Sequence, residues 1–158
     1  MKSIVAAAVL LAAGISPLDA KERTQPFKTL TGAFFALSVA DMPASVQWYT
    51  DMLGLSVVLE VREGIEVTVL EGGGLTVELI RDPAARPLSV AAPGVTRPEL
   101  VHGFFKAGFL VKDFEKTVEE LRARGVTIAF GPFPANERQK ANVLIRDNSG
   151  NLIQIFGT

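Results

Sequence analysis

Lys106 interrupts the otherwise apolar run Phe104-Phe105-Lys106-Ala107-Gly108-Phe109. An ammonium placed there supplies a fixed positive charge, or a base if it loses its proton. Glu78 stands in Gly74-Leu75-Thr76-Val77-Glu78-Leu79-Ile80, a run that reads as a strand. Alternation puts Thr76, Glu78 and Ile80 on one face and Val77 and Leu79 on the other. Gln154 holds the matching place in Gly150-Asn151-Leu152-Ile153-Gln154-Ile155-Phe156, which repeats the earlier run. Taken singly, a carboxylate and an ammonium each hold a group of opposite charge or exchange a proton, and a carboxamide donates and accepts hydrogen bonds. Other chemistries are poorly served. His102 is the only histidine. It shares the Lys106 face by alternation but sits about 13 Å away along an extended chain, and reads as a loop residue. No Ser-His-Asp arrangement is credible around it. The chain has no cysteine, which excludes disulfides, thiolate metal sites and a cysteine nucleophile. Gly72-Gly73-Gly74 lacks the lysine-serine pair and helix of a phosphate loop and reads as a hairpin turn. Arg138, in the polar run Glu137-Arg138-Gln139-Lys140, is either a ligand contact from a loop that closes over a site or part of a solvated turn.

The elements that must position these groups occur twice. Ser38-Val39-Ala40-Asp41-Met42-Pro43 is answered by Leu110-Val111-Lys112-Asp113-Phe114-Glu115. Ala33–Val39 reads as a strand, Asp41 as the cap of a helix with Pro43 in its first turn, and Gly54 as its stop. Strands are expected at Leu55–Val61, Ile65–Leu70 and Leu75–Ile80. Pro83, Pro87, Pro93 and Pro98 mark residues 82–100 as a connector that resists regular structure. The pattern restarts with a strand at Phe104–Val111, a helix capped by Asp113 and stopped by Gly125, and strands at Val126–Phe130, Asn142–Arg146 and Leu152–Phe156. Each half is therefore βαβββ. The expected domain spans residues 28–158, with module one at 31–81 and module two at 101–158.

The chain has 158 residues, enough for one domain with its own core. Its 48% apolar and 21% charged content is that of an ordinary globular protein. A net charge of −1 offers no electrostatic footprint for nucleic acid or an anionic membrane. Residues 1–20 read as a secretory signal: Lys2, the apolar run Ile4–Ala13, then Pro17 and a small residue, Ala20, at the cleavage point. Ten apolar residues are too few to span a bilayer, which needs about 20. The mature protein is thus expected in the periplasm or outside the cell, with no membrane span.

Phe34-Phe35-Ala36-Leu37-Ser38-Val39-Ala40-Asp41, then Ser45, Trp48-Tyr49 and Leu53-Gly54-Leu55, resembles the opening of a vicinal oxygen chelate module. The superfamily includes glyoxalase I, bleomycin-resistance protein, fosfomycin-resistance enzymes and extradiol dioxygenases. Asp147-Asn148-Ser149-Gly150-Asn151-Leu152-Ile153-Gln154 is similar to its closing strand. The resemblance implies an α+β fold in which two βαβββ modules pair into a cup-shaped mixed sheet. It places the family's four metal-ligand positions at Phe34, Glu78, Lys106 and Gln154. A phenylalanine and an ammonium are not metal donors in those states. No metal and no other cofactor is therefore expected. The expectation is instead that Lys106 faces Glu78 across the cup, the ammonium standing where relatives hold a cation, with Gln154 hydrogen-bonded nearby. The function implied is binding of a small carboxylate- or carbonyl-bearing molecule against apolar walls such as Phe34 and Phe156, with Arg138 as a further contact. Alternatives are a lyase, isomerase or glyoxalase-type enzyme using Glu78 and Lys106 in proton transfer, a metal-dependent dioxygenase, and a filled cup that binds nothing. The resemblance leaves open a homodimer that exchanges modules.

Overall fold

The computed structural model describes residues 34–97 and 101–158. The expected leader over residues 1–20 lies outside the described residues. Both modules belong to one compact unit. The first comprises β1 (Phe34–Ser38), α1 (Met42–Leu53), β2 (Ser56–Val61), β3 (Glu66–Gly72) and β4 (Leu75–Arg81). The second comprises β5 (Ala107–Val111), α3 (Phe114–Ala123), β6 (Thr127–Phe133), β7 (Asn142–Arg146) and β8 (Leu152–Gly157). The strand orders β1-β4-β3-β2 and β5-β8-β7-β6 are the same topology used twice. In each sheet the outer pair β1/β4 or β5/β8 is parallel and the remaining pairs are antiparallel.

Local chemistry sets the element ends. Asp41 Oδ1 accepts from the Ala44 amide at 2.9 Å, so the expected cap of α1 forms. Gly54 ends α1 at φ 71°, a left-handed conformation that suits a residue without Cβ, and its N–H donates to the Thr50 carbonyl. The expected cap of α3 differs: Asp113 makes no side-chain cap bond, and the Thr117 hydroxyl donates to the Asp113 carbonyl instead. Pro87 also starts a short helix, α2 (Leu88–Ala91), inside the proline-rich connector. The proline ring pre-sets φ at the helix entry, where a missing N–H costs nothing.

The expected strand from Phe104 begins only at Ala107. The reason lies in its partner. Ala107 pairs with Ile153, so Lys106 would need Leu152, the first residue of β8, and anything earlier would face the Asp147–Asn151 turn. Phe104 and Phe105 therefore have no strand partner, and the ladder begins one step after Lys106, at Ala107 with Ile153.

One apolar core serves both modules. Leu37, Leu70, Val77 and Leu79 from the first sheet share it with Val143, Ile145, Ile153 and Ile155 from the second. Phe114, Val118 and Leu121 contribute the buried stripe of α3. Each such side chain adds roughly 1.5–3 kcal/mol when fully buried. A polar tie joins the halves. The buried Tyr49 hydroxyl donates to Asp147 Oδ2 at 2.9 Å, and Asn148 Nδ2 donates to the Ser45 hydroxyl at 3.1 Å. Asp147 also accepts from the amides of Ser149 and Asn151 and from Asn151 Nδ2. The sequence motif at the β7–β8 turn is thus a carboxylate wrapped by its own loop and pinned by α1. Burial first, and the Asp147 carboxylate second, hold the Tyr49 hydroxyl protonated far above the usual tyrosine range.

Candidate functional site

Alternation along β4 is visible in burial. Val77 and Leu79 enter the core, while Thr76, Glu78 and Ile80 are half-buried on the opposite, open face. Ala36 of β1 and Val69 of β3 flank Glu78. In the second module Gly108 and Leu144 flank Gln154 in the same way. Glu78 and Gln154 are therefore equivalent positions of the two sheets, as the repeat implied. Their surroundings differ. No hydrogen bond or ion pair to a described residue holds the Glu78 carboxylate. Gln154 is 8% exposed and its Nε2 donates to Asn142 Oδ1 at 3.0 Å. Asn142, also buried, donates through Nδ2 to the Lys140 carbonyl at 3.0 Å.

Lys106 does not pair with Glu78. Among the described residues the ion pairs are Arg62 with Glu60, Arg81 with Glu66, and Lys116 with Glu120. The Lys106 ammonium instead lies 5.8 Å from the Phe105 ring centroid, within cation–π range. It is exposed because it precedes β5 rather than sitting in it, so its long stem follows the ring and its head stays in water. The expected buried pair is thereby corrected. Desolvating two ions costs several kcal/mol each, and an exposed ammonium avoids that cost.

A cleft of about 740 Å³ is lined by all of β5 and reaches Ile155 of β8. Phe34 and Lys106 line it, together with Phe104, Gly108 and the end of α1 at Met52 and Leu53. Glu78, Gln154 and Arg138 are not among its lining residues. The predicted set is thus split: Phe34 and Lys106 border the cleft, Glu78 is half-buried on the first sheet, and Gln154 is buried on the second. Arg138 lies in the exposed turn bridged by Asn136 and Gln139, its backbone amide donating to Asn136 Oδ1 at 2.9 Å. Phe34 and Phe104, 65% and 74% exposed, give the cleft an aromatic rim. Arg124, the other cation on the wall, donates to the Asp51 and Met52 carbonyls at the end of α1. Glu120 is taken by Lys116 at 3.9 Å. Lys106 is thus the cleft cation with no acidic or carbonyl partner among the described residues.

Sequence reasoning missed Asn142 and Gly108. Asparagine is depleted in strands, so Asn142 opening an apolar strand was the available signal. Gly108 has the same kind of signal, a glycine inside a strand where another backbone approaches closely.

The donor set does not fit a metal. The four positions aligned to metal ligands hold an aromatic ring, an ammonium, one carboxylate and one carboxamide, which leaves two oxygen donors at most. Among the described residues no three His, Cys, Asp or Glu side chains are grouped to hold an ion. Transition-metal sites in proteins draw on about three or more protein ligands.

The profile of the Glyoxalase/Bleomycin resistance protein/Dioxygenase superfamily matches residues 33–155. Comparison with curated proteins finds no match. Among solved structures, UcmS2 is similar, with a TM-score of 0.64 and 20% identity over 82% of this chain and 99% of that one. A glyoxylase/bleomycin resistance protein/dioxygenase domain from Frankia sp. EAN1pec gives 0.64 and 18% over 82% and 98%. A glyoxalase family protein from Enterococcus faecalis gives 0.63 and 18% over 82% and 98%. At these identities the likeness concerns the fold.

Proposed function

Because the chain belongs to the Glyoxalase/Bleomycin resistance protein/Dioxygenase superfamily, we propose that it uses the family's fold to bind a small carboxylate- or carbonyl-bearing molecule, without a catalytic metal. The observation that carries this reading is Lys106: a cation with no acidic partner among the described residues, at the border of a cleft of about 740 Å³. Ligand pockets in proteins commonly measure about 300–1,000 Å³ and combine apolar walls with a few polar groups. Phe34, Phe104, Met52 and Leu53 supply the walls. Lys106 supplies the charge, and a bound anion would meet an ammonium already held beside a ring.

The proposal includes export, on the leader-like residues 1–20; amino-terminal sequencing of the protein from cells checks it, with a start after Ala20 expected. No helix among the described residues is long and apolar enough to cross a membrane. A homodimer is the proposed protein partner, since Val57, Val58, Leu59 and Val61 of the edge strand β2 are exposed and an exposed apolar edge invites a second chain. Sedimentation measures this directly.

Thermal-shift screening against small carboxylates tests the binding. Concentration-dependent stabilisation is expected, reaching about 2.7 kcal/mol at a hundredfold excess over Kd, and is expected to disappear in Lys106→Ala. Absence of stabilisation by every carboxylate contradicts the proposal. Elemental analysis of the purified protein tests the metal clause: stoichiometric zinc, iron or manganese overturns it.

A further inference from the structure

β5 carries backbone groups that its own sheet does not use. It stands at the end of the order β5-β8-β7-β6, so within the sheet it has a neighbour on one side only. The Thr158 amide donates to the Val111 carbonyl at 3.0 Å, which turns that carbonyl toward the β8 side. Backbone groups alternate in direction along a strand. Ala107 and Phe109 therefore face β8 as Val111 does, and Gly108 and Leu110 turn their N–H and C=O groups away from it. No described residue bonds to those groups, and both residues are exposed.

The cleft lies at this edge. All five residues of β5 line it, β8 adds Ile155 alone, and β7 and β6 add nothing. Gly108 has no side chain, so it meets the cleft with its backbone. A Cβ there would lie 2.9 Å from the Gln154 carbonyl oxygen, which keeps the position bare. The other edge strands lack this setting. β2 puts no residue on the cleft, β1 puts only Phe34 and Phe35 there, and β6 is interrupted by Pro132, which has no N–H. An unpaired strand edge takes up an extended molecule through amide groups of its own. Charge sets which one. Lys106 stands two residues before Gly108, about 6.6 Å of extended chain, and lines the same cleft. A carboxylate directly beside a secondary amide meets both features.

We infer that the free edge of β5 recognises an N-acyl amino acid. The ligand amide N–H donates to the Gly108 carbonyl, and the carboxylate accepts from the Gly108 N–H and from the Lys106 ammonium. This rests on the carboxylate reading above and deepens it. The test is calorimetric titration with N-acetylphenylalanine, with O-acetyl-3-phenyllactate, which replaces the N–H by an ester oxygen, and with 3-phenylpropanoate, which lacks the acyl group. N-acetylphenylalanine is expected to bind about tenfold or more tightly than either of the others. Amide hydrogen exchange supplies a second readout: the Gly108 amide is expected to exchange fast in the free protein and to slow about tenfold when N-acetylphenylalanine saturates it. Equal binding of the amide and the ester overturns the inference and leaves the carboxylate reading standing. So does a tighter-binding amide that leaves Gly108 exchange unchanged, since the N–H is then met elsewhere. A Gly108 amide already protected in the free protein overturns it too, because a second copy or another part of the chain then holds the edge. Binding of none of the three acids removes both readings.

Discussion

Glu78 and Gln154 occupy one position in two copies of the same unit, yet only Gln154 is held in place. Beside Gln154 stands Asn142; the equivalent neighbour of Glu78 is Val67, since Asn142 pairs with Phe156 as Val67 pairs with Ile80. The lateral neighbours differ less, Ala36 in the first module and Gly108 in the second. The turns that precede the last strands differ most. The first module uses Gly73 and Gly74, both at positive φ, whereas the second folds its chain around the Asp147 carboxylate. A duplicated backbone thus carries a glycine-built turn in its first half and a carboxylate-built one in its second, while the proposed cleft draws its walls from both halves and its free cation, Lys106, from the second.

That contrast can be broken by substitution. The largest effect is expected for Asp147→Ala, which strips four hydrogen bonds and leaves the buried Tyr49 hydroxyl without its acceptor; urea unfolding should show a loss of about 3–4 kcal/mol. Next is Gly108→Ala, whose Cβ would press on the β8 backbone. A loss of about 1–3 kcal/mol is expected, against less than about 0.5 kcal/mol for Ala36→Ser at the equivalent place. Gln154→Met should cost about 1–2 kcal/mol, and Glu78→Gln less than about 0.5 kcal/mol. Equal costs at the two sites would erase the distinction between the modules.

A pH measurement sharpens the same point. Tyr49 has a folded-state pKa raised above its unfolded value, mainly by burial. Its contribution is fully present below about pH 10 and is lost as pH rises further, because the unfolded chain releases a proton that the folded one keeps. Between about pH 10 and 12 the wild type should lose roughly 1.4 kcal/mol per pH unit more than Tyr49→Phe does. Parallel curves would mean that the hydroxyl is not held as described.

The repeat, the strand-helix order and the faces of β4 were legible in the sequence because local pattern determines them: Val77 and Leu79 alternate with Glu78, and Asp41 and Gly54 punctuate α1. The positions of Glu78 and Gln154 followed from the same periodicity. What failed depended on partners far along the chain. Phe104 and Phe105 lie off the expected strand because β8 begins at Leu152, Lys106 precedes the first pair, and periodicity alone does not say where a ladder starts. The Glu78–Lys106 pair failed with it. Asn142 was overlooked since its bond to Gln154 joins neighbouring strands across a turn. Arg138 was separable from a solvated turn only by three-dimensional position.

The central claim is that an ammonium, rather than a metal ion, receives an anionic ligand. Titration of phenylacetate into chelator-treated protein, wild type beside Lys106→Met, tests it most directly. Affinity should survive chelation and fall about tenfold or more in the variant. Binding that vanishes with the chelator, or is as strong without the lysine as with it, would contradict the account.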